Sequence, residues 1–108
     1  MKAELLARYG ARFIRSARER LGEAARLDGD GGRAAARALA LHLHSISGEA
    51  AMIGLAELSQ LARVAMGTAR AVEQGAAPAA ECAEQLGRVL RALDALEATL
   101  PPARSSEQ

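Results

Sequence analysis

Residues 41–62 read LHLHSISGEAAMIGLAELSQLA, and this stretch decides the fold. Leucine, isoleucine and alanine recur along it at intervals of three and four residues, which is the spacing of the buried side of an amphipathic helix. Gly54 interrupts the run, and glycine commonly ends a helix because it adopts the left-handed conformation at little cost. The stretch therefore predicts two consecutive helices whose leucine and alanine pattern is typical of bundle packing.

Two further helices are predicted on either side of this pair. The four predicted helices cover residues 3–27, 33–53, 55–74 and 78–99. The run DGDGG at 28–32 separates the first two, and Asp30 is expected to cap the second. Gly75 is expected to end the third helix, and Pro78 suits the first turn of the fourth. The prolines at 101 and 102 are expected to close the fourth.

The short connections predict the topology, because consecutive helices joined by few residues pack as antiparallel neighbours. We therefore expect an all-α fold, an antiparallel up-and-down four-helix bundle over residues 1–102. Residues 103–108 form a polar tail without apolar side chains long enough to pack. In the first helix, the residues expected to face the core follow the same three-and-four spacing: Leu6, Tyr9, Phe13, Ala17, Leu21 and Ala24. The corresponding residues of the second are Leu39, Leu43, Ile46, Ala50 and Ile53.

Composition restricts the class of protein. With 108 residues, the chain is one domain and too small for a kinase with its own nucleotide site. Hydrophobic residues make up 50% and aromatic residues 2%, a balance that favours closely packed helices over a sandwich or barrel. The net charge of +1, with scattered basic residues, does not indicate a nucleic-acid partner. With Cys82 as the single cysteine and no apolar run of membrane-span length, we expect a cytoplasmic protein without a membrane partner.

The two histidines are expected to point in different directions. His42 and His44 are two positions apart, or roughly 200° around a helix, so they cannot hold one metal ion together. No second cluster of ligand side chains completes a metal site, and we predict none. Measured against the expected core residues, His42 lies on the flank of the helix and His44 points outward.

The surface around His44 is unusual for a solvent-facing side, because it carries few charges. The residues expected there are Arg37, Ala40, Leu41, Ser47, Gly48, Ala51, Met52 and Leu55. Gly48 lies one turn after His44, where a glycine costs a helix about 1 kcal/mol relative to alanine. A small, apolar surface with a histidine at its centre predicts a docking patch that another protein approaches closely.

The spacing of this segment resembles a known family. The pattern is His-x-x-x-Gly-x-Ala-x-x-x-Gly-x-x-x-Leu-x-x-x-Ala, filled by His44, Gly48, Ala50, Gly54, Leu58 and Ala62. It is similar to the histidine phosphotransfer (HPt) domain of bacterial phosphorelays, a helical bundle that carries a phosphoryl group on one exposed histidine. The resemblance covers about 20 residues.

The resemblance implies a function without an active site of the chain's own. His44 would accept a phosphoryl group from a receiver aspartate or a histidine kinase and relay it to a response-regulator receiver domain. We expect a monomer that needs no cofactor, with Mg²⁺ on the partner receiver. Many members carry a lysine three residues after the histidine, where this chain has Ser47. The Ser47 hydroxyl would offer a hydrogen bond but no charge, and Arg37 would supply replacement charge.

Two other classes of function stay open at this point. A non-catalytic helical adaptor, a degenerate relative that binds receivers without being phosphorylated, is compatible with the missing lysine. An enzyme is disfavoured, because Cys82, two opposed histidines and scattered carboxylates do not assemble an acid, a base and a nucleophile. The exposure of His44 tests phosphotransfer against these two classes, since a buried His44 would exclude phosphotransfer.

Overall fold

The computed structural model describes residues 2–26 and 32–100, with side chains from Glu4 onward. Within these residues the chain forms four helices and no strand, which confirms the all-α prediction. The helices are α1 Lys2–Ala25, α2 Arg33–Met52, α3 Ala56–Glu73 and α4 Ala79–Thr99. The predicted Asp30 cap, the prolines at 101 and 102 and the polar tail at 103–108 lie outside the described residues.

Contacts between helices show that neighbours run antiparallel. The Ser59 hydroxyl of α3 donates a hydrogen bond to the Ser47 carbonyl of α2 at 2.9 Å, while Arg37 Nε lies 2.7 Å from Glu73 Oε2. Residue numbers therefore rise along α2 as they fall along α3. The interface between α2 and α3 is the most extensive in the molecule, and that between α1 and α4 is the smallest of the main helix contacts. The up-and-down four-helix bundle is confirmed.

Glycines end α2 and α3 in the way the sequence predicts. Gly54 has φ +87° and Gly75 has φ +77°, both in the left-handed region. After α2, the amide of Gly54 donates to the Ala51 carbonyl and that of Leu55 donates to the Ala50 carbonyl at 2.8 Å. This is a Schellman motif, which satisfies carbonyls that the helix end would leave unpaired. The chain thus reverses its direction at Gly54, within the three residues that separate the end of α2 from the start of α3.

Pro78 lies one residue outside its predicted position. It caps α4 in an extended conformation, with φ −76° and ψ 149°, and the helix begins at Ala79. The Glu81 amide donates to the Pro78 carbonyl at 3.0 Å, so this carbonyl accepts the first bond of the helix. The difference is small, since the fixed φ of proline suits the position before a helix as well as its first turn.

One predicted core residue of α1 is displaced. Tyr9 is 40% exposed, and Ile14, which the pattern omitted, is buried at 1%. Gly10 takes the inward position, where an added Cβ would lie 3.0 Å from Leu6 Cδ1 and 3.3 Å from Leu100 Cδ2. Tyr9 is then turned by roughly 100° to the flank of the helix. The inward side of α1 therefore passes through Gly10, which lies against Leu100, and not through Tyr9.

Cys82 gives a first testable prediction, because it is buried in the core at 5% exposure and burial raises the pKa of its thiol. A raised pKa lowers the thiolate fraction at any given pH, and thiolate is the reactive form. We expect native protein to react with a disulfide reagent at mildly alkaline pH about tenfold or more slowly than the urea-unfolded chain. The reaction rate is measured from the thiolate that the reagent releases when it reacts with Cys82. Equal rates for the native and the unfolded chain would contradict the burial of Cys82.

Candidate functional site

The histidines flank the buried side of α2. Leu43 lies between them with 0% exposure, so each histidine is roughly 100° from the inward direction, on opposite sides of the helix. His44 is exposed and His42 is half-buried. This confirms the expected difference in exposure between the two histidines. The angle between His44 and the buried side of α2 is, however, smaller than the predicted core residues suggested.

Two ion pairs show which helix each histidine adjoins. Residues seven apart share one side of a helix. Glu49, seven residues after His42, pairs with Arg20 of α1 at 2.8 Å. Arg37, seven residues before His44, pairs with Glu73 of α3 at 2.7 Å. His42 therefore lies on the α1 side of α2, and His44 lies on the α3 side.

The imidazole of His44 is available for chemistry. Among the described residues, no hydrogen bond or ion pair engages its ring nitrogens. Its backbone is well held, because the Ser47 hydroxyl donates to the His44 carbonyl at 2.9 Å. The result is an exposed imidazole on a helix whose local backbone is fixed.

An apolar surface surrounds His44 along the outer side of α2. We call it the His44 face and define it by its exposed residues: Leu41, His44, Gly48, Ala51 and Met52. Leu41 is 66% exposed and Met52 is 72% exposed, values that are high for large apolar side chains. A Cβ built on Gly48 meets no heavy atom within 4 Å, so packing inside the molecule does not require a glycine there. These five residues are exposed as predicted, and their role in docking stays a prediction.

Two residues of the predicted patch are not on the surface. Ala40 and Ser47 are both buried at 5% exposure. With Ala36 and Ala50 they put short side chains among the buried residues of α2, which allows the close packing of α2 and α3. Leu55, also predicted on the patch, is half-buried in the turn after α2 and packs against the core.

The burial of Ser47 corrects the role suggested for its hydroxyl. That hydroxyl donates to the backbone of its own helix, three residues back, and does not reach a group bound at the surface. The Ser47 carbonyl in turn accepts the hydrogen bond of Ser59, which is buried at 6%. Ser59 was not singled out from the sequence. Ser59 lies three residues before Ala62, a predicted core residue, and this spacing could have indicated that it faces the inner side of α3.

Arg37 is exposed as predicted, but its charge is shared. Its side chain is 72% exposed and pairs with Glu73, whose side chain is 29% exposed. The pair is locally neutral, so Arg37 adds little net positive charge to the His44 face. Other exposed cations on this side are Arg33 of α2 and, on α3, Arg63 and Arg70.

The described residues bring no metal-binding group together, since no three His, Cys, Asp or Glu side chains converge among them. No helix in the described ranges 2–26 and 32–100 is long and apolar enough to cross a membrane. No family model matches the chain, and comparisons with curated proteins and with solved structures likewise find no match. The motif around His44 and the geometry of the site are therefore the features that point to a function.

Proposed function

We propose that the chain is a histidine phosphotransfer protein that accepts a phosphoryl group on His44 and relays it to a receiver domain. The donor is a receiver aspartate or a histidine kinase. The observation that carries the proposal is the exposure of His44 on a rigid helix, beside a glycine that no internal contact requires. The family resemblance of residues 44–62 supplies the identity of the transferred group.

The transfer step balances without any group beyond the two proteins. The P–O bond of the donor's aspartyl phosphate breaks, and its electron pair remains on the aspartate carboxylate. The lone pair of an unprotonated ring nitrogen of His44 forms the new P–N bond. Similar domains use the ring nitrogen farther from the backbone. The reverse step returns the phosphoryl group to a second receiver aspartate, so His44 acts as an intermediate carrier.

The geometry of α2 suits this step because the acceptor must reach into a partner's pocket. Phosphoryl transfer depends on alignment of the reacting atoms and on neutralisation of charge. A receiver would supply its carboxylates, a Mg²⁺ ion and a lysine, whereas this chain supplies the positioned nucleophile. The small side chains of Gly48 and Ala51 leave room for the partner's pocket to surround the imidazole. Leu41 and Met52 offer apolar area for docking.

The test is transfer from a phosphorylated receiver to wild type, His44→Gln and His42→Gln. We expect acid-labile label on wild type and on His42→Gln, and none on His44→Gln. His42→Gln is a matched control, because it removes the same side chain two residues away on the other side of α2. Circular dichroism of both variants establishes that they remain helical.

The same assay separates this proposal from the adaptor. An unlabelled wild type that still binds receivers would support a non-catalytic adaptor and overturn phosphotransfer. Label that persists in His44→Gln would overturn the assignment of His44. The adaptor is favoured by one observation, since the buried Ser47 stands where many HPt domains place a lysine.

A further inference from the structure

The position three residues after His44 carries no cation in this chain. Ser47 is buried there, and Arg37 is paired with Glu73. A receiver would neutralise a phosphoryl group only while it is docked, so between donor and acceptor the charge on His44 is met by this chain and by water. A guanidinium beside a dianionic group stabilises it through charge-assisted hydrogen bonds. The neighbouring helix α3 is the element that can bring such a group to His44.

Arg63 lies on the flank of α3 that borders α2. It follows Ser59 by four residues, or roughly 40° around the helix, and Ser59 contacts α2 through its hydrogen bond to the Ser47 carbonyl. Leu61, roughly 200° from Arg63, lines the cavity between α3 and α4 instead. His44 lies on the α3 side of α2, so Arg63 and His44 border the same α2–α3 groove.

The hydrogen bond of Ser59 with Ser47 also sets the level of each residue along this groove, and we call it the serine contact. It joins a short side chain to a backbone carbonyl, so it fixes the register of the two backbones closely. His44 precedes Ser47 by three residues, or roughly 4.5 Å. Arg63 follows Ser59 by four residues, or roughly 6 Å in the same direction, because the helices are antiparallel. The backbones of Arg63 and His44 are therefore level to roughly 1.5 Å.

Arg70 borders the same groove but lies farther along it. By the serine contact, its backbone is roughly 12 Å from the level of His44. The ion pair of Arg37 with Glu73 joins two long side chains and defines the register less closely. Counted from that pair, Arg63 is displaced from His44 by roughly 4.5 Å and Arg70 by roughly 6 Å. Arg63 is the nearer arginine by either contact.

The carboxylates of α2 and α3 are paired elsewhere or lie on another side. Glu49 pairs with Arg20 of α1, and Glu73 pairs with Arg37. Glu57 lines the cavity between α3 and α4. Within residues 2–26 and 32–100, no carboxylate forms an ion pair with Arg63, which is exposed. Its charge is therefore available to a group carried on His44.

We infer that Arg63 neutralises the phosphoryl group carried on His44, in place of the lysine that many HPt domains have on the histidine's own helix. This inference rests on the proposed function. Arg63 needs only to extend across the groove, since its backbone is level with that of His44. It is a charge-neutralising and positioning residue, and it takes no part in bond formation.

The experiment measures the ionisation of the phosphoryl group directly. Protein carrying His42→Gln, so that His44 is the single histidine, is phosphorylated with phosphoramidate and titrated by phosphorus NMR. A nearby guanidinium favours the dianion, so its removal moves the ionisation midpoint to higher pH. We expect Arg63→Gln to weaken the ionisation constant about fivefold, the effect of one charge at about 4 Å in a solvated site. Arg63→Lys keeps the charge and should stay close to the parent, whereas a midpoint equal to that of Arg63→Gln would contradict a charge effect.

Arg70→Gln is the matched control, since it removes the same charge from the same flank of α3. At physiological salt the screening length is about 8 Å, so this more distant charge should move the midpoint much less. Equal shifts in Arg70→Gln and Arg63→Gln would overturn the assignment, and so would an unchanged midpoint in Arg63→Gln. Failure of the proposed function is seen separately, in the absence of transfer from a phosphorylated receiver to the parent. Phosphoramidate labelling does not depend on a receiver, so the two failures are distinguishable.

Discussion

Replacing Gly48 with leucine is expected to slow phosphoryl transfer by about 100-fold while the bundle stays at least as stable as the wild type. The kinetic effect follows from docking, because a displacement of reacting groups by about 1 Å can cost about 100-fold in rate. The stability expectation follows from the open space around Gly48 and from the helix propensity of leucine, which exceeds that of glycine by nearly 1 kcal/mol. Transfer kinetics and urea unfolding measure the two effects independently.

Gly22→Leu is the control for this substitution. Gly22 is also inside a helix, and a Cβ built there likewise meets no heavy atom within 4 Å. It lies on α1, away from the His44 face, so its transfer rate should equal that of the wild type. Normal transfer by Gly48→Leu would show that a receiver does not dock against this side of α2. Unfolding of Gly48→Leu would instead show that the site is less open than its surroundings indicate.

Truncation of Leu43 to alanine is expected to destabilise the bundle strongly. Leu43 is 0% exposed and lies on the inward side of α2, between the two histidines. A buried leucine truncated to alanine typically costs about 2–5 kcal/mol, because transfer energy is lost and a cavity remains. Domains of this size are stable by only about 5–15 kcal/mol, so the loss is a large fraction of the total. The midpoint of urea unfolding should fall, with an unchanged denaturant slope.

Leu41→Ala provides the comparison two residues away. Leu41 is 66% exposed on the His44 face, so its truncation should change stability by no more than about 0.5 kcal/mol. The same change of side chain thus separates the core from the surface of one helix. Equal costs for the two variants would mean that α2 is rotated from the orientation described.

The fold is largely readable from the sequence, because helix ends and large apolar residues carry strong local signals. Gly54 and Gly75 end their helices where predicted, through backbone conformations that glycine adopts most readily. The prediction that Tyr9 faces the core is wrong, because Gly10 is the residue on the inward side, where it lies against Leu100, nearly the whole chain away. A periodicity within one helix contains no information on such a contact.

The sequence predicts only part of the candidate site, because hydropathy separates buried from exposed positions for large side chains but not for small ones. Large side chains such as Leu41 and Met52 are correctly placed on the surface, since the inward positions of α2 are already filled. Ala40 and Ser47 are small, and small residues fit a close helix interface as well as a docking surface, so their hydropathy does not decide between the two.

The tight reversal at Gly54 has a consequence for how the protein reaches its folded state. The most extensive interface, between α2 and α3, joins segments that are adjacent in the chain and connected by three residues. Closing so short a loop costs little conformational entropy, and contacts local in sequence form early in folding. The helical hairpin that supports His44 is therefore the part of the chain best suited to act as a folding nucleus, onto which α1 and α4 then assemble.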